Sequence, residues 1–303
     1  MNKSFVSTLK LGLLFVLALL ISLNITPVFA AVGTPPKVNW LPGPQAIAMG
    51  ENLSNLNLPE GYLFAGAEDT YKLMEYIGNI PSKEDIGVVL PNNQTKDWMV
   101  IFSYDPIGYV KDEDADAIDA DGILKTITEA TEESNKQRQA HGVAPIHVTG
   151  WQEAPHYEPT THNLVWAIAA NDEDGNIVNY NTRKLGRYGV TSINLVTQPE
   201  NLVKLKPELE KLIANYTYVP GKQYTDFVAG QDRVAEVGLA ALIAGGVGAS
   251  AAKTGLFAKL LLILVTVFKK LGILLIIGVG FLKARFGGKK PEVSAEDNPP
   301  ETK

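Results

Sequence analysis

Apolar and polar positions change period several times along the chain, and each change marks an element. Residues 44–50 (PQAIAMG) and 52–58 (NLSNLNL) alternate loosely around Gly50 and predict two short strands, and 61–66 (GYLFAG) predicts a third. From Ala67 to Asn79 the period turns helical, with Ala67, Thr70, Tyr71, Met74 and Ile77 on one face. Glu68 and Asp69 stand in its first turn, where the helix dipole favours acids. After IGVVL (86–90) comes WMVIFSY (98–104), whose β-branched and aromatic residues predict a central strand. A helix from Ile123 to Ala140 follows, burying Ile123, Ile127 and Ala130 and stopping at His141-Gly142. Residues 31–43, with three prolines, read as an irregular lead-in.

The densest pattern lies between Gly150 and Val196. Residues 146–153 predict a strand, 156–161 a turn around Pro159, and 163–170 a second strand. Asp174-Gly175 is the strongest hairpin signal in the chain. A third strand runs to about Lys184, 186–189 turns, and 190–197 is a fourth. Pro199 then opens a helix with Leu202, Leu205, Leu209, Leu212 and Ile213 on one face. Consecutive strands joined by tight turns imply antiparallel pairing. The expected class is α+β: an antiparallel β-meander sheet with interspersed helices, plus a C-terminal transmembrane segment.

The two ends of the chain carry that last element and a leader. Lys3 and Lys10 precede an uncharged apolar run at 11–23, and Val28-Phe29-Ala30 places small residues at −3 and −1 of a cut after Ala30. This is the layout of a cleaved signal peptide at 1–30, with an uncleaved N-terminal anchor as the competing reading. An extracytoplasmic domain at 31–236 follows. Beyond it, apolar runs occupy 237–252, 260–268 and 271–282, the last two separated by Lys269-Lys270. A span needs about 20 apolar residues. One tilted helix from about Gly255 to Phe286 supplies it; the alternative is a hairpin turning at the two lysines. Lys283, Arg285, Lys289 and Lys290 favour the single span with a cytoplasmic end. Residues 237–290 are thus a membrane anchor region contacting the lipid bilayer, and 291–303 a polar, disordered tail.

Charge sharpens this division. Residues 31–236 hold 16 Lys and Arg against 29 Asp and Glu, a balance of −13, whereas 237–303 hold 9 against 4, a balance of +5. So acidic a domain is a poor candidate for nucleic acid. Cysteine is absent, which removes thiol catalysis and thiolate metal sites and leaves stability to a packed core.

Candidate chemistry is sparse. The run Asp112-Glu113-Asp114-Ala115-Asp116 opens like a calcium loop, but Ala117 and Ile123 stand where Gly and Glu are required. It reads instead as an acidic helix start, with Asp119 or Asp121 as N-cap. His156 and His162 with Glu158 could hold a catalytic metal, although their spacing matches no helical metal motif, and surface or hydrogen-bonded histidines are favoured. Arg183 and Arg187 flank a Leu-Gly turn near Trp166, Tyr180 and Tyr188. They could bind a carboxylate or phosphate, stack on a partner, or pair with Glu153, Glu158 or the acidic run. No G-x-S-x-G elbow or strand-following G-x-G-x-x-G is present, and GGVGASAAKT lacks the glycine a phosphate loop needs before Lys253; no cofactor is implied. The candidate recognition surface is Trp151, His156, His162, Trp166, Arg183 and Arg187.

The wording GYVKDEDADAIDAD, GWQEAPHY, THNLVWA, NYNTRKLGRYGV and GLAALIAGG resembles the bacterial uncharacterized membrane-anchored protein family, the domain of unknown function 2167. The resemblance covers most of residues 45–285. It implies an exported domain tethered by a C-terminal membrane segment and brings no activity with it. The leading expectation is a non-enzymatic ectodomain that binds a partner protein or ligand in the cell envelope. The alternatives are a metal-dependent envelope hydrolase using His156, His162 and Glu158, and a subunit of a membrane assembly joined through 237–286.

Overall fold

The alternating stretches pair into two antiparallel sheets, seen here in a computed structural model that describes residues 35–77, 81–93, 98–140, 144–173 and 175–244, without the side chains of residues 137 and 140. The expected leader, the apolar runs beyond residue 244, the tail, Asp174 and the His141-Gly142 stop lie outside the described residues. No helix among the described residues is long and apolar enough to cross a membrane.

The larger sheet has eight strands. In spatial order they are β1 (Leu41–Pro42), β4 (Tyr62–Gly66), β5 (Asp85–Pro91), β6 (Met99–Asp105), β10 (Val190–Thr197), β9 (Gly175–Leu185), β8 (Asn163–Asp172) and β7 (His147–Glu158). Every neighbouring pair is antiparallel. The expected meander is the run β7 to β10, and the WMVIFSY strand lies at the sheet's middle, as predicted. Pairing reaches Asp172 and Gly175 at the tip of the predicted hairpin. A smaller sheet joins β11 (Tyr216–Tyr218), β3 (Ser54–Leu58) and β2 (Gln45–Met49).

Both faces of the large sheet are covered. On one face Val100, Phe102, Val178, Tyr180, Ile193 and Leu195 pack against the small sheet and against helix α3 (Pro199–Ala214). The five apolar residues predicted for that helix are the ones buried. Each such side chain contributes roughly 1.5–3 kcal/mol on burial. On the opposite face helix α1 (Ala67–Tyr76) covers Leu63, Val88 and Ile101, while Ile123 and Ile127 of helix α2 (Ala120–Ala140) pack with Leu164, Trp166 and Val190. A short helix α4 (Leu239–Ile243) adds Leu239, Leu242 and Ile243 to that second cluster. The sheets are tied by Tyr218, whose hydroxyl accepts the Thr191 N–H and donates to the Lys184 carbonyl, each at 2.9 Å.

Three local expectations need correction, and one short strand was not foreseen. Tyr71 faces outward and Leu73 takes its place in the core, because residues 70, 73, 74 and 77 form the buried α1 stripe. The β7 strand does not end at Glu153 but runs through His156 to Glu158. Pro155 is tolerated there because β7 is an edge strand, and three register shifts let it twist past β8. The irregular lead-in contains β1, and the three-residue β11 carries too short a period to be read from sequence.

Gly189 marks the tightest crossing near the functional face. A Cβ there would stand 2.1 Å from the Asp105 carbonyl oxygen, a backbone atom that cannot step aside. Gly189→Ala is therefore expected to cost about 1–3 kcal/mol, read as a lowered urea midpoint with an unchanged slope.

Candidate functional site

Strand β9 carries Asn179, Asn181 and Arg183 at alternate positions, so all three point to one face. Asn181 lies opposite Asn194 on one side and Trp166 on the other, and Arg183 lies opposite Ser192 and Leu164. Ser192 in turn opposes Ser103, which opposes Asp85. A polar band thus crosses four strands, on the face that α1 covers at one side and α2 at the other. The structure encloses its centre: Arg183 is 6% exposed and Trp166 2%. The surface expected around this pair is an interior.

Arg183 is the anomaly in the band. Its Nη1 donates to Asn194 Oδ1 at 3.0 Å and to the Thr182 carbonyl at 3.4 Å, and its guanidinium carbon lies 4.9 Å from the centre of a Trp166 ring. Its Nε and Nη2 meet no acceptor among the described residues, and no carboxylate there comes within the 4.0 Å of an ion pair. Buried charge without a partner is costly, and burial pulls Arg183 down to about 10 even though the more distant Asp105 opposes the shift. Two carboxyls in the band are perturbed the other way. Burial pushes Asp85 up to about 6 against the stabilising hydrogen bond from Ser103 Oγ, 2.7 Å away, and it raises Asp105 as well. One neutral group is also unsettled: Asn179 Oδ1 is buried and finds no hydrogen-bond partner. Perturbed titratable groups clustered in this way are a physical sign of a working site.

A second cluster closes the end of the sheet. His162, in the left-handed region at φ 53°, places Nδ1 3.0 Å from the Tyr157 hydroxyl. That hydroxyl donates to Asp112 Oδ2 at 2.9 Å, so its single proton is used and the network assigns the other hydrogen to His162 Nδ1. The imidazole lies against Tyr224 at 4.3 Å, Tyr224 stacks on Tyr109 at 4.4 Å, and Tyr109 on Phe227 at 3.8 Å. Burial holds His162 below the ordinary imidazole value, helped by Lys184 and opposed by Asp112. The unfolded chain therefore takes up this proton first. The contribution of His162 is intact above about 6.5 and is lost as the pH falls below it. His162→Gln should flatten that acid limb in urea titrations at several pH values, whereas an unchanged limb would place the proton uptake elsewhere.

The remaining candidates are dispersed. Trp151 Nε1 donates to the Ala120 carbonyl at 3.1 Å and pins the start of α2 to β7. His156 is exposed, 3.8 Å from both Glu153 and Glu158. Arg187 clamps Asp232 through Nε at 2.7 Å and Nη2 at 3.0 Å, and donates to the Gly221 carbonyl at 3.2 Å, which fastens the β9–β10 turn to the loop before α4. The six predicted residues therefore do not form one surface; the structure brings Arg183 and Trp166 into direct contact and packs Trp151 against the cluster that contains Trp166. His156 and His162 do not converge, and no group of three His, Asp or Glu among the described residues is placed to hold a metal. The acidic run has structural tasks: Asp119 caps α2 at the Gly122 N–H, and Asp114 caps α4 at the Leu239 and Ala240 N–H groups. Sequence reasoning missed Asp85, Asn179, Asn181 and Asn194. For Asn179 and Asn181 the signal was the alternation of polar residues in NYNTR, which a solvated face produces equally well; Asp85 and Asn194 lie outside that run, each the single residue of its type in its strand.

Known proteins add a family and little more. The model of the family "Protein of unknown function (DUF2167)" matches residues 42–280, and the chain belongs to this family. No curated protein matches. Two solved chains do. One is the solution structure of cyanobacterial PsbP (CyanoP) from Synechocystis sp. PCC 6803, which is 9% identical with a TM-score of 0.36 and covers 61% of this chain and 96% of its own. Nothing about this chain follows from a similarity at that level.

Proposed function

We propose that this member of the DUF2167 family is a non-enzymatic binding domain, exported by its leader, tethered in the cell envelope by the apolar stretch after residue 244, and engaged by its ligand at Arg183. One observation carries the choice of site: an enclosed guanidinium with two nitrogens lacking acceptors among the described residues. A hydrogen bond to Asn194 and the stacking on Trp166 are modest returns for such a group, since a well-packed apolar residue of similar volume often does as well or better. A bound anion gives it a purpose. The tether rests on the sequence alone, on the basic cluster at 283–290 following the apolar runs.

The test is complementation. Full-length Arg183→Gln, expressed at wild-type level in cells of the source organism that lack the chain, is expected to behave as the deletion. Arg187→Gln, which alters a clamp at the surface, is expected to restore function. Full restoration by Arg183→Gln would overturn the proposal. A reporter fused after Lys290 tests the tether, and an extracytoplasmic signal would contradict the single span.

A further inference from the structure

Two unsatisfied groups lie on the same strand face, and they ask for opposite things. Arg183 offers hydrogen-bond donors and a positive charge; Asn179 offers a buried acceptor, Oδ1, with no partner. Asn181 stands between them and donates to the Asn179 backbone carbonyl at 3.0 Å. The guanidinium reaches back along β9, since it touches both Asn194 and Trp166, the two residues that oppose Asn181. It is thus about one same-face step, roughly 7 Å, from Asn179. Asn194 on the neighbouring strand is only half-buried, so the band reaches solvent beside it.

We infer that the Arg183 band binds a small organic carboxylate carrying a hydrogen-bond donor a few bonds away, as an N-acyl amino acid or a 2-hydroxy acid does. The inference rests on the binding reading of Arg183 and adds the ligand class. The carboxylate takes the free Nε–Nη2 edge of the guanidinium, the fork geometry that matches two carboxylate oxygens. The N–H or O–H of the ligand reaches Asn179 Oδ1. Two hydrogen bonds of about 2.9 Å with a short link between them fill a separation of this size. A single enclosed positive charge balances one negative charge. A phosphate dianion would leave an excess, and Asp105 stands close enough in the band to repel it.

The experiment is a binding titration of the purified full-length protein with N-acetylalanine, its methyl ester, acetate and inorganic phosphate. N-acetylalanine is expected to bind at least about tenfold more tightly than its ester, which lacks the charge, and more tightly than acetate, which lacks the donor; a bidentate charged contact supports a gap of that order. Phosphate is expected to bind more weakly than N-acetylalanine. Asn179→Ala should reduce N-acetylalanine to the level of acetate, and Arg183→Met should abolish both. Equal binding of acid and ester, tighter binding of phosphate, or retention by Arg183→Met would each overturn the inference. No binding of any carboxylate, with complementation still lost in Arg183→Gln, would refute the ligand class while leaving the binding reading of Arg183 in place.

Discussion

Arg183→Met is expected to make the unliganded protein more stable, by about 1–3 kcal/mol, in line with the stabilisation that often follows when buried ionic groups give way to apolar ones of similar volume. Methionine keeps most of the packing against Trp166 and fills the same channel with an unbranched chain. It gives up two hydrogen bonds, to Asn194 and the Thr182 carbonyl. Asn194 is half-buried and can be solvated in their absence. Against this stands the penalty on the charge, whose depression to about 10 corresponds to about 3 kcal/mol disfavouring the charged form. A gain in stability together with a loss of function is the signature of a residue kept for its ligand. Destabilisation by several kcal/mol would instead make Arg183 a structural anchor. Urea unfolding of both proteins at neutral pH decides between the two.

The second large effect belongs to Asp85. Its carboxyl is 7% exposed, and burial raises it to about 6. A carboxyl raised in the fold stabilises when protonated. Its favourable contribution is complete below the unfolded value of 3.8, fades as the pH climbs to about 6, and is absent above that. At neutral pH the ionised group costs about 3 kcal/mol, an upper figure for a site that can relax. Asp85→Asn keeps an oxygen to accept from Ser103 and removes the charge. It should raise stability at about pH 7 by roughly 1–3 kcal/mol and remove the slope between about pH 4 and about pH 6. Should the variant be weaker at neutral pH, the carboxylate must have a cationic partner at that position.

Much of the architecture could be read from residue order, for identifiable reasons. The α3 stripe repeats leucine and isoleucine at helical spacing, and nothing in the tertiary fold competes with it. The meander is legible because its strands follow one another through tight turns. The hidden parts depend on long-range neighbours. Trp151, His156, His162 and Arg187 are close in sequence to Arg183, but strand alternation, a left-handed turn residue and a loop more than thirty residues away send them to different places. The β9 polar positions could not be placed from sequence, because alternation reports that two faces differ, not which is wet. What encloses that face is α2, separated from β9 by two strands of sequence. Asp85 was invisible for the same reason: its perturbation comes from burial, and burial at that position depends on neighbours distant in sequence.

The central claim is that the guanidinium of Arg183 is enclosed, lacks a carboxylate of its own, and awaits one. Arginine-selective nitrogen-15 labelling of the full-length protein, with Arg183→Met to assign the signal, observes that group directly. The account predicts a Nε–H resonance that shifts on addition of millimolar N-acetylalanine and stays in place with the methyl ester. A resonance that does not respond to the acid, or that responds equally to the ester, would contradict it.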